Sequence, residues 1–306
     1  MQSSALRPTI ANMLKSREQG WQVFATAMVG VLLGFGLKAN AGDTQVSAKP
    51  EIRSAAALVV DAGSGEVIFE RDAKSVVPIA SLTKLMTALV VVDGLQSLDE
   101  VIEITTDDRW KGKGAHSRLP IGAKLTRADL LRLALMASEN RAARVLGRNY
   151  PGGMTAFVRT MNLKAKALGM TQTHFDDPSG LSSLNVSNAR DLAKLVKAVS
   201  RNPVISDYST LPYHEVRVGK SMLGYRNTNL LIGKGDWTIQ VQKTGYTNDA
   251  GQCLVMQAKL DQRPVIMVFL NSFGSLTRTA DARRVRRWIE SQHAPSVVSA
   301  GAVAVK

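Results

Sequence analysis

The 306-residue chain is 45% hydrophobic and 21% charged, a globular composition with enough material for a substantial core, which excludes a disordered or fibrous chain. Its net charge of +14 suits an anionic polymer or a membrane surface, but Lys and Arg are scattered and aromatics are only 5%, so nucleic acid is not an expected partner. Cys253 is the sole cysteine; it excludes an intrachain disulfide and reads as a small core residue.

The chain opens on a secretory pattern. Lys15 and Arg17 precede an apolar run from Val23 to Leu37, and Ala39-Asn40-Ala41 has the small-x-small form that a signal peptidase cuts. Residues 1–41 are therefore expected to be a signal peptide. Their removal takes away Arg7, Lys15, Arg17 and Lys38 against Glu18 and leaves about +11. The mature protein is expected in an exported, periplasmic compartment. A polar tether over 42–53 follows.

Runs at Ala56–Asp61 and Glu66–Glu70 flank Gly63-Ser64-Gly65, a hairpin signature. The apolar stretch Leu85 to Val92, entered through Pro78-Ile79-Ala80-Ser81, predicts a buried central helix with Ser81 at its N-terminus. From about 94 to 209 the pattern is mainly helical. Thr126 with Asp129 and Asn188 with Asp191 open two helices, and Gly169 ends another. The turn-rich stretch from His174 to Asn185, with Asp176-Asp177-Pro178-Ser179-Gly180, is expected beside a site. Ile239–Thr244, Gln252–Leu260 and Pro264–Asn271 read as an antiparallel meander turning at Asp261-Gln262-Arg263, with a helix over about 277–292.

Strands at both ends with helices between them predict an α+β fold. An antiparallel sheet is flanked by helices and assembled from about 54–93 and 210–293, with a helical insert over about 94–209 and a tail over 294–306. This layout brings three short motifs together. Ser81-Leu82-Thr83-Lys84 sets a hydroxyl and an amine three residues apart, neighbours on a helix; Ser138-Glu139-Asn140 follows an apolar helix; Lys243-Thr244-Gly245 ends a strand. Each alone is weak. In this order and spacing they form the pattern of active-serine acyl-transfer enzymes.

Group chemistry assigns the roles. Ser81 attacks a carbonyl carbon and Lys84 takes its proton, with Lys243 expected to keep Lys84 neutral through like-charge repulsion. Ser138 relays a proton towards the leaving nitrogen, and Asn140 bonds Lys84 and the substrate amide. Lys243 and Thr244 suit a substrate carboxylate, and Gly245 leaves room for substrate backbone along the strand edge. The N–H groups of Ser81 and Tyr246 are the expected oxyanion hole. His116, His174, His214 and His293 lack metal-ligand spacing, and neither a metal nor a cofactor is expected. No G-x-S-x-G elbow surrounds a serine, which argues against a Ser-His-Asp triad. Glu139 is expected in a structural ion pair, with Arg190 and Asp191 at most shaping the site wall.

The chain resembles the low-molecular-mass penicillin-binding proteins of the D-alanyl-D-alanine carboxypeptidase family, most closely their endopeptidase type. Beyond the motifs, the resemblance rests on Ser138-Glu139-Asn140-Arg141-Ala142-Ala143, Tyr150-Pro151-Gly152-Gly153, Ala165-Lys166-Ala167-Leu168-Gly169-Met170, Asn185-Val186-Ser187, Ala189-Arg190-Asp191-Leu192 and Lys243-Thr244-Gly245-Tyr246-Thr247-Asn248. It implies the serine β-lactamase/DD-peptidase fold and peptidoglycan as partner. It also implies cleavage of D-alanyl to meso-diaminopimelyl cross-links and covalent inhibition by β-lactam antibiotics. Only about sixty residues follow Lys243 and the tail lacks an amphipathic face, so no membrane anchor is expected after signal cleavage. The alternatives are a carboxypeptidase trimming pentapeptide stems, a β-lactamase, and a non-enzymatic peptidoglycan-binding protein.

Overall fold

The computed structural model describes residues 49–112 and 116–293. The expected signal peptide, most of the tether and the tail lie outside the described residues. The hairpin forms as β1 (Ser54–Asp61) and β2 (Val67–Arg71); Asp61 Oδ1 accepts the N–H groups of Gly63 and Ser64, both at 2.9 Å, to close the turn. A short β3 (Val77–Pro78) leads into a 3-10 turn over Ala80–Thr83 and then α1 (Lys84–Asp93). Ser81 thus lies in the 3-10 turn rather than on the α-helix. In a 3-10 turn residues i and i+3 eclipse, so this departure brings Ser81 and Lys84 onto one line. Leu85, Met86, Ala88, Leu89, Val90 and Val91 are all buried, as the apolar run predicts for a central helix.

The next segment is less purely helical than its sequence implies, because β4 (Val101–Glu103) pairs with β5 (Lys124–Thr126). Then come α2 (Arg127–Met136), α3 (Asn140–Arg148), α4 (Gly153–Ala167), β6 (Val186–Ser187), α5 (Ala189–Val199) and α6 (Pro203–Thr210). The predicted caps form: Thr126 Oγ1 accepts Asp129 N–H at 3.0 Å and Asn188 Oδ1 accepts Asp191 N–H at 2.8 Å. Gly169, with φ +70°, ends α4 in the left-handed region.

A second hairpin that the sequence pattern did not announce, β7 (Tyr213–Val218) with β8 (Ser221–Arg226), precedes the meander β9 (Thr238–Thr247), β10 (Gly251–Leu260) and β11 (Arg263–Ser272). Asp261 and Gln262, with φ of 45° and 63°, turn β10 into β11; two successive left-handed residues make the hairpin turn that matches strand twist. The last helix is α7 (Thr277–His293).

The five-stranded sheet has the order β2-β1-β11-β10-β9, so the amino-terminal hairpin joins the carboxy-terminal meander through β1 and β11. One face buries Leu58, Val255, Val268 and Leu270 in a core continuous with α1, α2, α3 and α5. The other buries Ala57, Val59, Met256, Met267 and Phe269 against Ala282, Val285 and Ile289 of α7. An antiparallel sheet flanked by helices on both faces is the α+β layout expected from the sequence. Strand β9 is the sheet's edge, and it carries Lys243-Thr244-Gly245 beside the 3-10 turn.

Candidate active site

Lys84 organises the centre. Its side chain is fully buried, and Nζ donates to Ser81 Oγ at 2.7 Å, Asn140 Oδ1 at 2.7 Å and the Ser179 carbonyl at 2.6 Å. Burial pushes its pKa down from 10.5 to about 7, against the opposing pull of Asp177 and Glu139. Like-charge repulsion from Lys243 is therefore not the principal cause, as the sequence had implied. Lys243 is itself fully buried and well below the lysine range, first through burial and then through Lys84 and Arg278. Its Nζ donates to the Thr244 carbonyl at 2.9 Å.

Three acceptors around Lys84 fix the direction of proton transfer. A carbonyl and an amide oxygen cannot donate, whereas the Ser81 hydroxyl can. When Lys84 loses a proton, its two remaining N–H bonds stay on Ser179 and Asn140, and its lone pair turns to Ser81. The backbone on both sides of the centre is unusual, since Ala80 has φ 46° and Ser138 φ 59°. Left-handed non-glycine residues cost on the order of 1–3 kcal/mol each and persist only where the surroundings impose them.

The loop 176–185 is what imposes the Ser179 carbonyl. Asp177 Oδ1 accepts from Ser179 N–H at 2.6 Å, Gly180 N–H at 3.0 Å and the Ser179 hydroxyl. Its Oδ2 accepts from Ser182 N–H at 2.8 Å and Asn185 Nδ2 at 2.6 Å. Thr87 Oγ1 donates to the Pro178 carbonyl at 2.6 Å, tying this loop to α1. Gly180 is required here: a Cβ would stand 1.9 Å from the Ala80 oxygen, and its φ is +79°.

Gly245 has a reason other than the one read from sequence. A Cβ there would lie 3.0 Å from the Ile79 oxygen and 3.3 Å from Ser81 N. The glycine thus lets β9 approach the turn that carries Ser81. Arg278 of α7 ties β9 to β10 by donating to the Gly245 carbonyl at 2.6 Å and the Cys253 carbonyl at 3.0 Å. Thr244 Oγ1 shares a 2.6 Å hydrogen bond with Thr228 Oγ1. Cys253 is buried and its thiol pKa is pushed up to about 11 by desolvation, as a core residue's would be.

A cleft of about 350 Å3 opens onto Ser81, Asn140, Leu181 and Tyr246, with Thr247, Asn248 and Asp249 along its rim. Ser138 lines a separate cavity, and it is not among the hydrogen-bond partners of Lys84. Among the described residues Glu139 makes no ion pair; its Oε2 caps α3 by accepting Ala142 N–H at 2.7 Å. Arg190 pairs with Glu70, and Asp191 accepts from Gln172 N–H and Lys194, so neither shapes the site wall. Sequence reasoning missed Ser179, Asn185, Thr228 and Arg278. Only the turn-rich composition around Asp177 signalled any of them. Among the described residues there is no cluster of three His, Cys, Asp or Glu able to hold a metal.

Known proteins carry the same plan. The family model described as D-alanyl-D-alanine carboxypeptidase matches residues 43–274. A D-alanyl-D-alanine endopeptidase of Pseudomonas aeruginosa is 47% identical over 269 residues, covering 84% of this chain and 87% of the relative. Its Escherichia coli namesake is 45% identical, covering 80% of each. The Streptomyces K15 DD-transpeptidase superposes with a TM-score of 0.74 at 26% identity, over 80% of this chain and 99% of that one. Penicillin-binding protein D2 of Listeria monocytogenes, solved in its cefotaxime-bound form, does so at 0.68 and 30%, over 78% and 97%. The chain belongs to the D-alanyl-D-alanine carboxypeptidase family of serine DD-peptidases.

Proposed function

We propose that this protein hydrolyses D-alanyl to meso-diaminopimelyl cross-links in peptidoglycan through a Ser81 acyl-enzyme that penicillins also form. The observation that carries the reading is the buried Lys84 amine, 2.7 Å from Ser81 Oγ with a pKa of about 7, matched to general-base work near neutral pH. Lys84 takes the Ser81 proton as the hydroxyl attacks the D-alanyl carbonyl. The N–H groups of Ser81 and Tyr246 receive the oxyanion, each worth about 3 kcal/mol; the close approach of Gly245 to Ser81 N supports that pairing. Asn140 holds Lys84 and the substrate amide. Lys243 and Thr244, with Arg278 behind them, receive the carboxylate beside the scissile bond. The proton passes from Lys84 to the leaving amine, with Ser138 as a relay that acts through the bound amine.

Two of the three acids available near this site, Asp177 and Asp191, weigh against a β-lactamase; the third, Asp176, is exposed. Asp177 is occupied by five donors of its own loop, and Asp191 by Gln172, Thr173 and Lys194. Neither is free to activate a deacylating water on a penicilloyl-Ser81 ester. In the same proposal residues 1–41 are a signal peptide cut near Ala41, residues 42–53 a tether, and the catalytic domain works in the periplasm. The secretory pattern supports export; among the described residues no helix is long and apolar enough to cross a membrane.

Two measurements test the reading. Ser81→Ala is expected to abolish labelling by a fluorescent penicillin while the protein stays folded; retained covalent labelling would remove Ser81 as nucleophile. Incubation with cross-linked dimeric muropeptides is expected to release monomers. Loss of terminal D-alanine alone, from pentapeptides, would make it a carboxypeptidase.

A further inference from the structure

A second cavity next to the catalytic centre has one wall formed by the end of β8, in the unforeseen hairpin. It has a volume of about 190 Å3 and is lined by His116, Arg118, Ser138, Glu139, Tyr225 and Arg226. That is room for roughly six waters at ~30 Å3 each, enough for a carboxylate and the carbons that bear it. Ser138 lines this cavity and Asn140 the cleft that holds Ser81. Two residues span at most about 7 Å, so one peptide stem can occupy both spaces.

The lining is built for an anion. Neither Arg118 nor Arg226 has a carboxylate partner among the described residues. Arg118 is instead held over the Tyr225 ring at 3.9 Å and donates to the Gly224 carbonyl at 2.7 Å. The opposing Glu139 already caps α3, where the helix N-terminus offsets its charge. Tyr225 is 4% exposed and, among the described residues, its hydroxyl has no hydrogen-bond partner, a defect that a ligand oxygen would repair. Burial and the nearby Glu139 push that phenol up to about 12, so it remains a donor at any physiological pH.

We propose that this cavity is a subsite for a free carboxylate of the peptide stem, gripped by Arg118 and Arg226 and hydrogen-bonded by the Tyr225 hydroxyl. The proposal rests on the DD-peptidase reading above. Stem carboxylates come from two sources, the diaminopimelyl and the glutamyl residue, and bidentate guanidinium recognition distinguishes either from its neutral amide.

The test uses purified mature protein and three dimeric muropeptides: unmodified, amidated only at the diaminopimelyl carboxylate of the acyl-donor stem, and amidated only at that stem's glutamyl carboxylate; the carboxylate beside the scissile bond, assigned above to Lys243 and Thr244, stays free in all three. Wild-type kcat/KM is expected to fall by at least about tenfold for one of the two amidated dimers, which identifies the source. For that dimer, the ratio of kcat/KM between carboxylate and amide substrates is expected to drop to less than about threefold in Arg226→Gln and in Tyr225→Phe. Arg226 is exposed and the Tyr225 hydroxyl has no hydrogen-bond partner among the described residues, so both variants are compatible with folding. Equal cleavage of all three dimers, or an unchanged ratio in both variants, overturns the subsite and leaves the endopeptidase reading standing. No cleavage of any dimer by wild type overturns both.

Discussion

At the scale of single residues, the site depends on one lysine that burial has made a base. Acylation by penicillin requires the uncharged form, so its rate is expected to rise with pH through a midpoint near 7, the value to which Lys84 is lowered. A stopped-flow pH profile with a midpoint above 9 would show that Lys84 is not the base. Two glycines are as constrained as the reacting groups. Gly180→Ala forces a Cβ to 1.9 Å from the Ala80 oxygen at a left-handed φ, and we expect at least about 3 kcal/mol of destabilisation, read by chemical denaturation, with penicillin labelling lost. The Ser81-Lys84 and Ser138-Asn140 spacings were visible in the sequence because they are short and local. Ser179 was not, since its contribution is a backbone carbonyl, a group every residue has.

At the scale of elements, the loop 176–185 is a rigid part of the centre. Asp177 gathers donors from Ser179, Gly180, Ser182 and Asn185; Asp177→Ala orphans them and releases the carbonyl that holds Lys84. We expect a loss of about 2–4 kcal/mol in stability, from several hydrogen bonds to one charged acceptor, and a fall of at least about tenfold in acylation rate. Asp177→Asn removes the charge that raises the Lys84 pKa, so its pH midpoint is expected to move to the acid side of wild type. Unchanged rate and midpoint in both variants would make the loop a spectator. The long periodic elements, α1 and β9 to β11, were legible because burial of one face writes its period into the sequence. The hairpins β4–β5 and β7–β8 were not. Both are short or exposed, with polar residues such as Glu103, Lys124, Glu215 and Arg217 interrupting the strand pattern.

At the scale of the whole molecule, folding pulls two lysines out of water, and stability must respond to pH. Lys84 has a folded-state pKa of about 7 against 10.5 when exposed; Lys243 is shifted in the same direction. Between these limits the unfolded chain binds more protons than the folded one, so Lys84 makes stability rise with pH from about 7 towards 10, and Lys243 acts in the same direction. Below about 7 Lys84 is charged in both states and its full cost is present. Relative to wild type, Lys84→Met is expected to flatten the rise over this window in denaturation at stepped pH; an identical slope would place Lys84 in water. The sequence by itself determined the fold class, the meander, the buried helix and the order of three motifs, since hydrophobic period and short spacing are properties of the chain. Only the tertiary structure decided how acid, base and cavity come together. The Lys84 pKa arises from burial by distant segments, Gly245 is a glycine because the turn carrying Ser81 passes within contact, and the Arg118–Arg226 cavity exists only where three segments far apart in sequence meet. Those are properties of enclosure, which no local stretch of residues encodes.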